Sequence, residues 1–323
     1  MFIINYNNKG DIMNDKLKKV GLTALAGSLA ASTAYAGEVS VSGTWGVAYQ
    51  TKDSTEVTGN PLTLDDSITF SGSGETDQGW TIGMSYELDS TGVLDDLSAT
   101  LDMGDQGKLT FGESAGGSGV RAVKNIVPHA VTPVYSMTDT TTAWGTARGT
   151  NQTGYIGYDL TVGDLMISAD TSKDTGGTDR SIGIKYTGID GLTLVAGSGE
   201  LNTAQASGEE QSTIGFSYAV GGVTIGLQQS EHDDESSSNA DETGTYAGIS
   251  FAMNDNLTLS YGQQEIEFDA TTKTQDETNS GIAASYTMGS MSVTAWAGKT
   301  ENPNGSATAA DLESRKVKLG FSF

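Results

Sequence analysis

Alternation of apolar and polar residues with a period of two runs along almost the whole chain, and few folds can use it. Near the end of the sequence Val317, Leu319, Phe321 and Phe323 share one face of an extended segment, while Lys316, Lys318, Gly320 and Ser322 share the other. Successive side chains of a strand point to opposite faces of its sheet, so this segment reads as an amphipathic strand and not as a frayed tail. Val39, Val41, Trp45, Val47 and Tyr49 form the same pattern at the start, and Ile82, Met84, Tyr86 and Leu88 repeat it. Later segments come in pairs. Ile214–Val220 and Val223–Leu227 flank Gly221-Gly222, and Ala247–Met253 and Leu257–Tyr261 flank Asn254-Asp255-Asn256. Each pair reads as a β-hairpin with a tight turn. A weaker segment at Leu62–Ser71 brings the count to 16 strands.

Two all-β architectures accept such strands. A sandwich would bury the apolar faces between sheets, and a closed barrel would turn them to lipid. The connections separate the two. Tight turns are expected at Gly72–Gly79, Gly104–Gly107, Gly188–Gly191, Gly221-Gly222, Asn254–Asn256 and Gly289-Ser290. Long polar loops are expected at Asn202–Glu210, Glu231–Thr243, Asp269–Asn279 and Thr300–Glu313. Short turns on one rim and long loops on the other are the layout of an outer-membrane barrel, with the turns periplasmic and the loops extracellular. An even strand number also brings both ends to one rim, where they close the sheet. Tyr49, Tyr86, Tyr186, Tyr218, Phe251, Tyr261 and Tyr286 fall near strand ends on the apolar face, as interfacial girdles do. The predicted fold is therefore all-β: a closed antiparallel transmembrane β-barrel of about 16 strands.

Composition fits. Only 36% of the 323 residues are hydrophobic, and no apolar run is long enough for a transmembrane helix. A barrel needs one apolar face per strand, so its average hydropathy stays low. The chain has no cysteine, so disulfides cannot staple a weak core.

The first 36 residues read as an N-terminal extension and a cleavable signal peptide. Lys16, Lys18 and Lys19 precede the apolar stretch Val20–Ala31, and Ala34-Tyr35-Ala36 fits the small-x-small cleavage pattern. Cleavage after Ala36 starts the mature chain at Gly37; Met13 is a candidate start that would leave residues 1–12 upstream. Residues 37–323 are expected to form a single barrel domain. Without the leader's four lysines and two aspartates, the 17 basic and 41 acidic residues become 13 and 39, a net charge of −26. That balance excludes nucleic acid as a partner and favours cationic solutes.

Enzymatic readings find no support. The chain has two histidines, His129 and His232, and no Gly-x-Ser-x-Gly, His-Glu-x-x-His or phosphate-loop motif. No cofactor is expected. The acidic run Asp233-Asp234-Glu235 suggests loop-bound calcium, but its spacing is not that of an EF-hand.

Alternation stops between Phe111 and Thr153, and residues 114–150 read as a long functional connection after the fifth strand. This region holds Glu113, Arg121, Lys124, Asp139 and Arg148. Here the chain resembles the general porins of Gram-negative bacteria. The resemblance is carried by Ala34-Tyr35-Ala36, by the opening strand Glu38-Val39-Ser40-Val41-Ser42-Gly43, by the long third loop, and by the terminal run Lys316 to Phe323. It implies a 16-stranded barrel assembled as a homotrimer, with the third loop folded inward to narrow the pore. It also implies that the terminal strand, through Val317, Leu319, Phe321 and Phe323, is read by the barrel assembly machinery. In that family acidic loop groups face basic wall groups across the constriction. Glu113 and Asp139 are the matching acids, and Lys185, Lys316 and Lys318 face inward if their apolar neighbours face lipid. Arg121, Lys124 and Arg148 depart from an all-acidic loop, and the Pro-Glu-Phe-Gly-Gly tip of enteric porins is absent.

The expected function is a water-filled outer-membrane channel for passive diffusion of small hydrophilic solutes, cation-preferring and surrounded by lipid and lipopolysaccharide. A substrate-selective channel is the nearer alternative. A secreted β-rich adhesin or binding module is the alternative of a different class.

Overall fold

The structure, a computed structural model, describes residues 39–52, 61–89, 93–112, 117–138, 154–173, 177–203, 206–233 and 241–323. Sixteen strands follow one another. They are Val39–Lys52 (β1), Leu62–Glu75 (β2), Thr81–Asp89 (β3), Val93–Asp102 (β4), Lys108–Gly112 (β5), Tyr155–Val162 (β6), Leu165–Lys173 (β7) and Thr178–Ile189 (β8). Leu192–Thr203 (β9), Ala206–Val220 (β10), Val223–Asp233 (β11), Asp241–Ala252 (β12), Leu257–Asp269 (β13), Glu277–Met288 (β14), Met291–Glu301 (β15) and Leu312–Ser322 (β16) complete the set. Each pairs antiparallel with its chain neighbours, and β1 pairs with β16, so the sheet closes into a barrel without an edge.

The alternation decides which face is which. Ile214 is 64% exposed and Ile282 60%, and the other apolar strand residues form a continuous outer belt with them. An apolar belt of this extent is an aggregation surface in water and an ordinary surface in lipid. The aromatic residues at the ends of the apolar rows, among them Tyr49, Tyr186, Tyr218, Phe251 and Tyr286, lie on this outer face.

Closure uses the terminal strand as the sequence predicts. Thr44 faces Ser322 and Lys52 faces Ser314 across the seam. The Phe323 N–H donates to the Gly43 carbonyl at 3.0 Å, and the Gly43 N–H returns the bond at 3.0 Å. The Phe323 ring lies against Gly43, so a Cβ there would stand 2.5 Å from the ring. Trp45 and Phe321 pack alongside with ring centroids 5.8 Å apart.

The tight turns lie on the rim that holds this seam. Gly221 and Gly289 adopt φ of 58° and 59°, the left-handed region that a two-residue hairpin turn requires. The Asn254 Oδ1 accepts from the Asn256 and Leu257 N–H groups at 2.9 and 3.0 Å. One expected turn is shorter than its glycines suggest: β2 continues to Glu75, and Gly72 and Gly74 pair with Met84 and Ile82.

The opposite rim corrects several expected loops. β9 reaches Thr203 and β10 begins at Ala206, so most of Asn202–Glu210 is strand. β13 and β14 extend likewise into Asp269–Asn279, and β12 begins at Asp241, inside Glu231–Thr243. Above the lipid belt the outer face of a strand turns polar, so the apolar row that marks a strand is lost while backbone pairing continues. Asp241–Asp269, Thr243–Glu267 and Thr245–Glu265 are such pairs.

Candidate pore constriction

The third connection leaves the wall after β5, which is only five residues long. Its described part, residues 117–138, lies inside the barrel against β6 to β15. Backbone donors seat its first turn. The Gly119 N–H donates to Ser168 Oγ at 2.7 Å, and the Val120 N–H to Ser181 Oγ at 2.9 Å. Those hydroxyls donate onward, Ser168 to Asp159 and Ser181 to Asp170. Ser118 adds a bond to Asp159 at 3.1 Å. Ser168 and Ser181 thus each satisfy a backbone donor that burial would otherwise orphan.

Two small cores then hold the loop down. Val120 and Val123 bury against Val195, and Val127, Val134 and Met137 bury against Tyr246 and Ala283. Between them Gln228 grips the backbone from both sides: its Nε2 donates to the Val123 carbonyl at 2.9 Å, and its Oε1 accepts from the Ile126 N–H at 3.2 Å. Tyr135 meets Tyr246 edge-to-face with centroids 5.8 Å apart. Burial pushes the Tyr135 phenol well above its ordinary value, with Tyr246 adding to the effect. At the far end the Thr138 hydroxyl meets that of Thr300 at 2.5 Å, and Thr300 donates to Asn279.

Beneath the loop the wall is made of glycine. Gly226, Gly248, Gly262, Gly281 and Gly298 are direct register partners on β11 to β15, and Gly183 and Gly197 are partners on β8 and β9. A Cβ on Gly248 would stand 2.6 Å from Val127 Cγ1, and one on Gly298 2.5 Å from Met137 Cβ. The row is a channel of missing side chains that lets the loop lie directly on the sheet. In sequence these glycines look like polar-face spacers. Their signal is that one recurs at the corresponding inward position of consecutive strands.

Charges on the two sides differ. Among residues 117–138 the ionisable side chains other than Tyr135 are Arg121, Lys124 and His129, with no carboxylate. Burial pushes the Arg121 guanidinium below its ordinary value, while Asp170 and then Tyr155 pull it back up. Burial also lowers Lys124, and the neighbouring Arg121 lowers it further. Tyr155 points inward, within electrostatic reach of Asp96, Asp159, Asp170 and Arg121. On the wall Glu87 faces Asp96 directly across β3 and β4.

The sequence-predicted residues divide as follows. Lys185 lies on the inner face between Met166 and Val195, on the tight-turn side of the loop. Lys316 and Lys318 are also inward, opposite Gln50 and Ala48, and Lys318 pairs with Asp65 at 2.6 Å. Arg121 and Lys124 are on the seated loop. Glu113, Asp139 and Arg148 lie outside the described residues, as do the leader 1–36, Asp234 and Glu235. Val317, Leu319, Phe321 and Phe323 form the outer row of the closing strand. The sequence pattern placed the strand aromatics on the apolar face. Tyr155, Tyr246 and Trp296 are inward, and Tyr246 beds the loop. Among the described residues no cluster of three or more His, Asp or Glu is arranged to hold a metal ion.

A closed 16-stranded barrel with an apolar exterior and a loop seated inside it defines a transmembrane channel narrowed from within. The family model for Gram-negative porins matches residues 21–321, and the chain belongs to that family, whose place is the bacterial outer membrane. Among solved structures it is similar to OmpT of Vibrio cholerae, an outer membrane protein, at 13% identity over 89% of this chain and 98% of that chain, with a TM-score of 0.66. It is similar to Salmonella typhi OmpF, solved with daunomycin, at 13% identity over 89% and 98%, with a TM-score of 0.63. It is similar to a mutant porin of Rh. blastica at 16% identity over 88% and 100%, with a TM-score of 0.57. At such identities the likeness establishes the fold alone. No curated protein sequence matches the chain.

Proposed function

We propose that the protein is a non-enzymatic channel for passive diffusion of small hydrophilic solutes, preferring cations and working without a cofactor. The observation that carries this is the loop bedded on the inner wall of a closed barrel: it narrows the lumen, and no mobile part is needed for transport. Cation preference follows from the mature charge of −26, because a charged pore with low-dielectric walls concentrates counter-ions. The reversal potential of single channels in a potassium chloride gradient tests it, and a clear anion preference would overturn it.

The unit in the membrane is a homotrimer on this reading. One Vibrio cholerae OmpT structure is described as a trimer form. The leader is cleaved after Ala36, so N-terminal sequencing of protein from the outer membrane should begin at Gly37. The closing strand serves as the signal read by the barrel assembly machinery, and lipid and lipopolysaccharide surround the outer belt.

A further inference from the structure

The described loop carries charge of one sign, and the facing wall of β3 and β4 carries the other. The register fixes how they are placed. Ser85, Ser98, Gly112 and Tyr155 lie side by side on β3, β4, β5 and β6, at the point where the loop leaves the wall. Two residues further toward the long-loop rim stand Glu87 and Asp96, paired across the strands. The register thus sets two carboxylates side by side on the inner face of β3 and β4. Lys124 is the counterpart on the loop. It is half-buried, the like charge of Arg121 acts on it, and it forms no ion pair with a described residue. A half-buried cation is unfavourable for folding, and unfavourable charges concentrate where function uses them.

We propose that the aperture is polarised in the sense opposite to an acidic loop facing a basic wall. Arg121 and Lys124 make the seated segment 117–138 its positive side, and Glu87 and Asp96 make the β3–β4 wall its negative side. The solutes this arrangement favours are small zwitterions, which cross with the carboxylate toward the loop and the ammonium toward the wall. The inference rests on the channel reading above and adds the residues that set its selectivity.

The test is electrophysiology on wild-type channels and on Lys124→Gln, the double variant Glu87→Gln/Asp96→Asn, and Lys185→Gln. Heat-modifiable gel mobility first confirms that each variant is a folded barrel. Lys124→Gln should raise the potassium-to-chloride permeability ratio by about two- to fivefold, the order expected of one unit charge at a narrow low-dielectric site. The double acidic variant should lower the ratio by a similar factor. Lys185→Gln should change it less, because Lys185 lies on the tight-turn side of the loop. In vesicle swelling, the rate for zwitterionic glutamine relative to an uncharged sugar alcohol of similar size should fall in both aperture variants. An unchanged ratio in Lys124→Gln, or an equal effect of Lys185→Gln, would overturn the polarised aperture while leaving the channel intact. Absence of conductance from the wild-type protein would instead remove the channel reading.

Discussion

Single residues set the aperture through what they lack as much as through what they carry. A valine at Gly298 places its Cβ where Met137 now lies, 2.5 Å from that side chain's own Cβ. Overpacking of this kind costs about 1–3 kcal/mol, and here the loop gives way sooner than the paired sheet. Gly298→Val should therefore alter single-channel conductance and expose the loop to protease while the barrel stays heat-modifiable. The same substitution at Gly74, where a Cβ meets nothing within 4 Å, is the control. Lys124 supplies a pH dependence. Burial and then Arg121 lower its pKa, so it loses its charge at a lower pH than an ordinary lysine. The unfolded chain binds this proton more tightly than the folded one, so Lys124 favours folding as pH rises through the window below the ordinary lysine value. Cation preference should rise across the same window, and Lys124→Gln should flatten that rise in reversal potentials measured against pH.

The closing strand tests the structure at the scale of elements. Removing Phe323 takes away its ring from Gly43 and two backbone bonds from the seam. The shortened chain should reach the outer membrane in much smaller amount than the full chain, measured by fractionation and heat-modifiable mobility, and normal assembly would count against the assembly-signal reading. This strand was fully legible in sequence because lipid on one side and water on the other leave a strict alternation. The extended ends of β9 to β14 were not, because above the lipid belt only backbone bonds distinguish strand from loop. The loop was legible as a break in pattern, and Arg121 and Lys124 as charges within it. Its bed was not. A glycine that serves as a seat and a glycine that merely permits a turn look alike until cross-strand register aligns them. Tyr155 and Tyr246 escaped for a related reason, since an aromatic residue in an alternating strand is expected to face lipid.

For the whole molecule, the predicted assembly is a homotrimer that resists detergent at room temperature and dissociates on heating, with mobility changing in a single step. Raising ionic strength should weaken cation preference, since screening shortens the reach of the lumenal charges. The loop's bed has a further consequence, for the order of events during biogenesis. The segment 117–138 is synthesised before nearly every strand it rests on, and Thr138 meets Thr300, 162 positions later. The last part of its seat, Gly298 and Thr300, does not exist until β15 is in place. Seating of the loop is therefore incomplete until the wall is nearly complete. A half-built barrel is accordingly wider than the finished one, and narrowing of the pore is among the last acts of maturation. Time-resolved protease protection of the loop during refolding should lag behind strand formation.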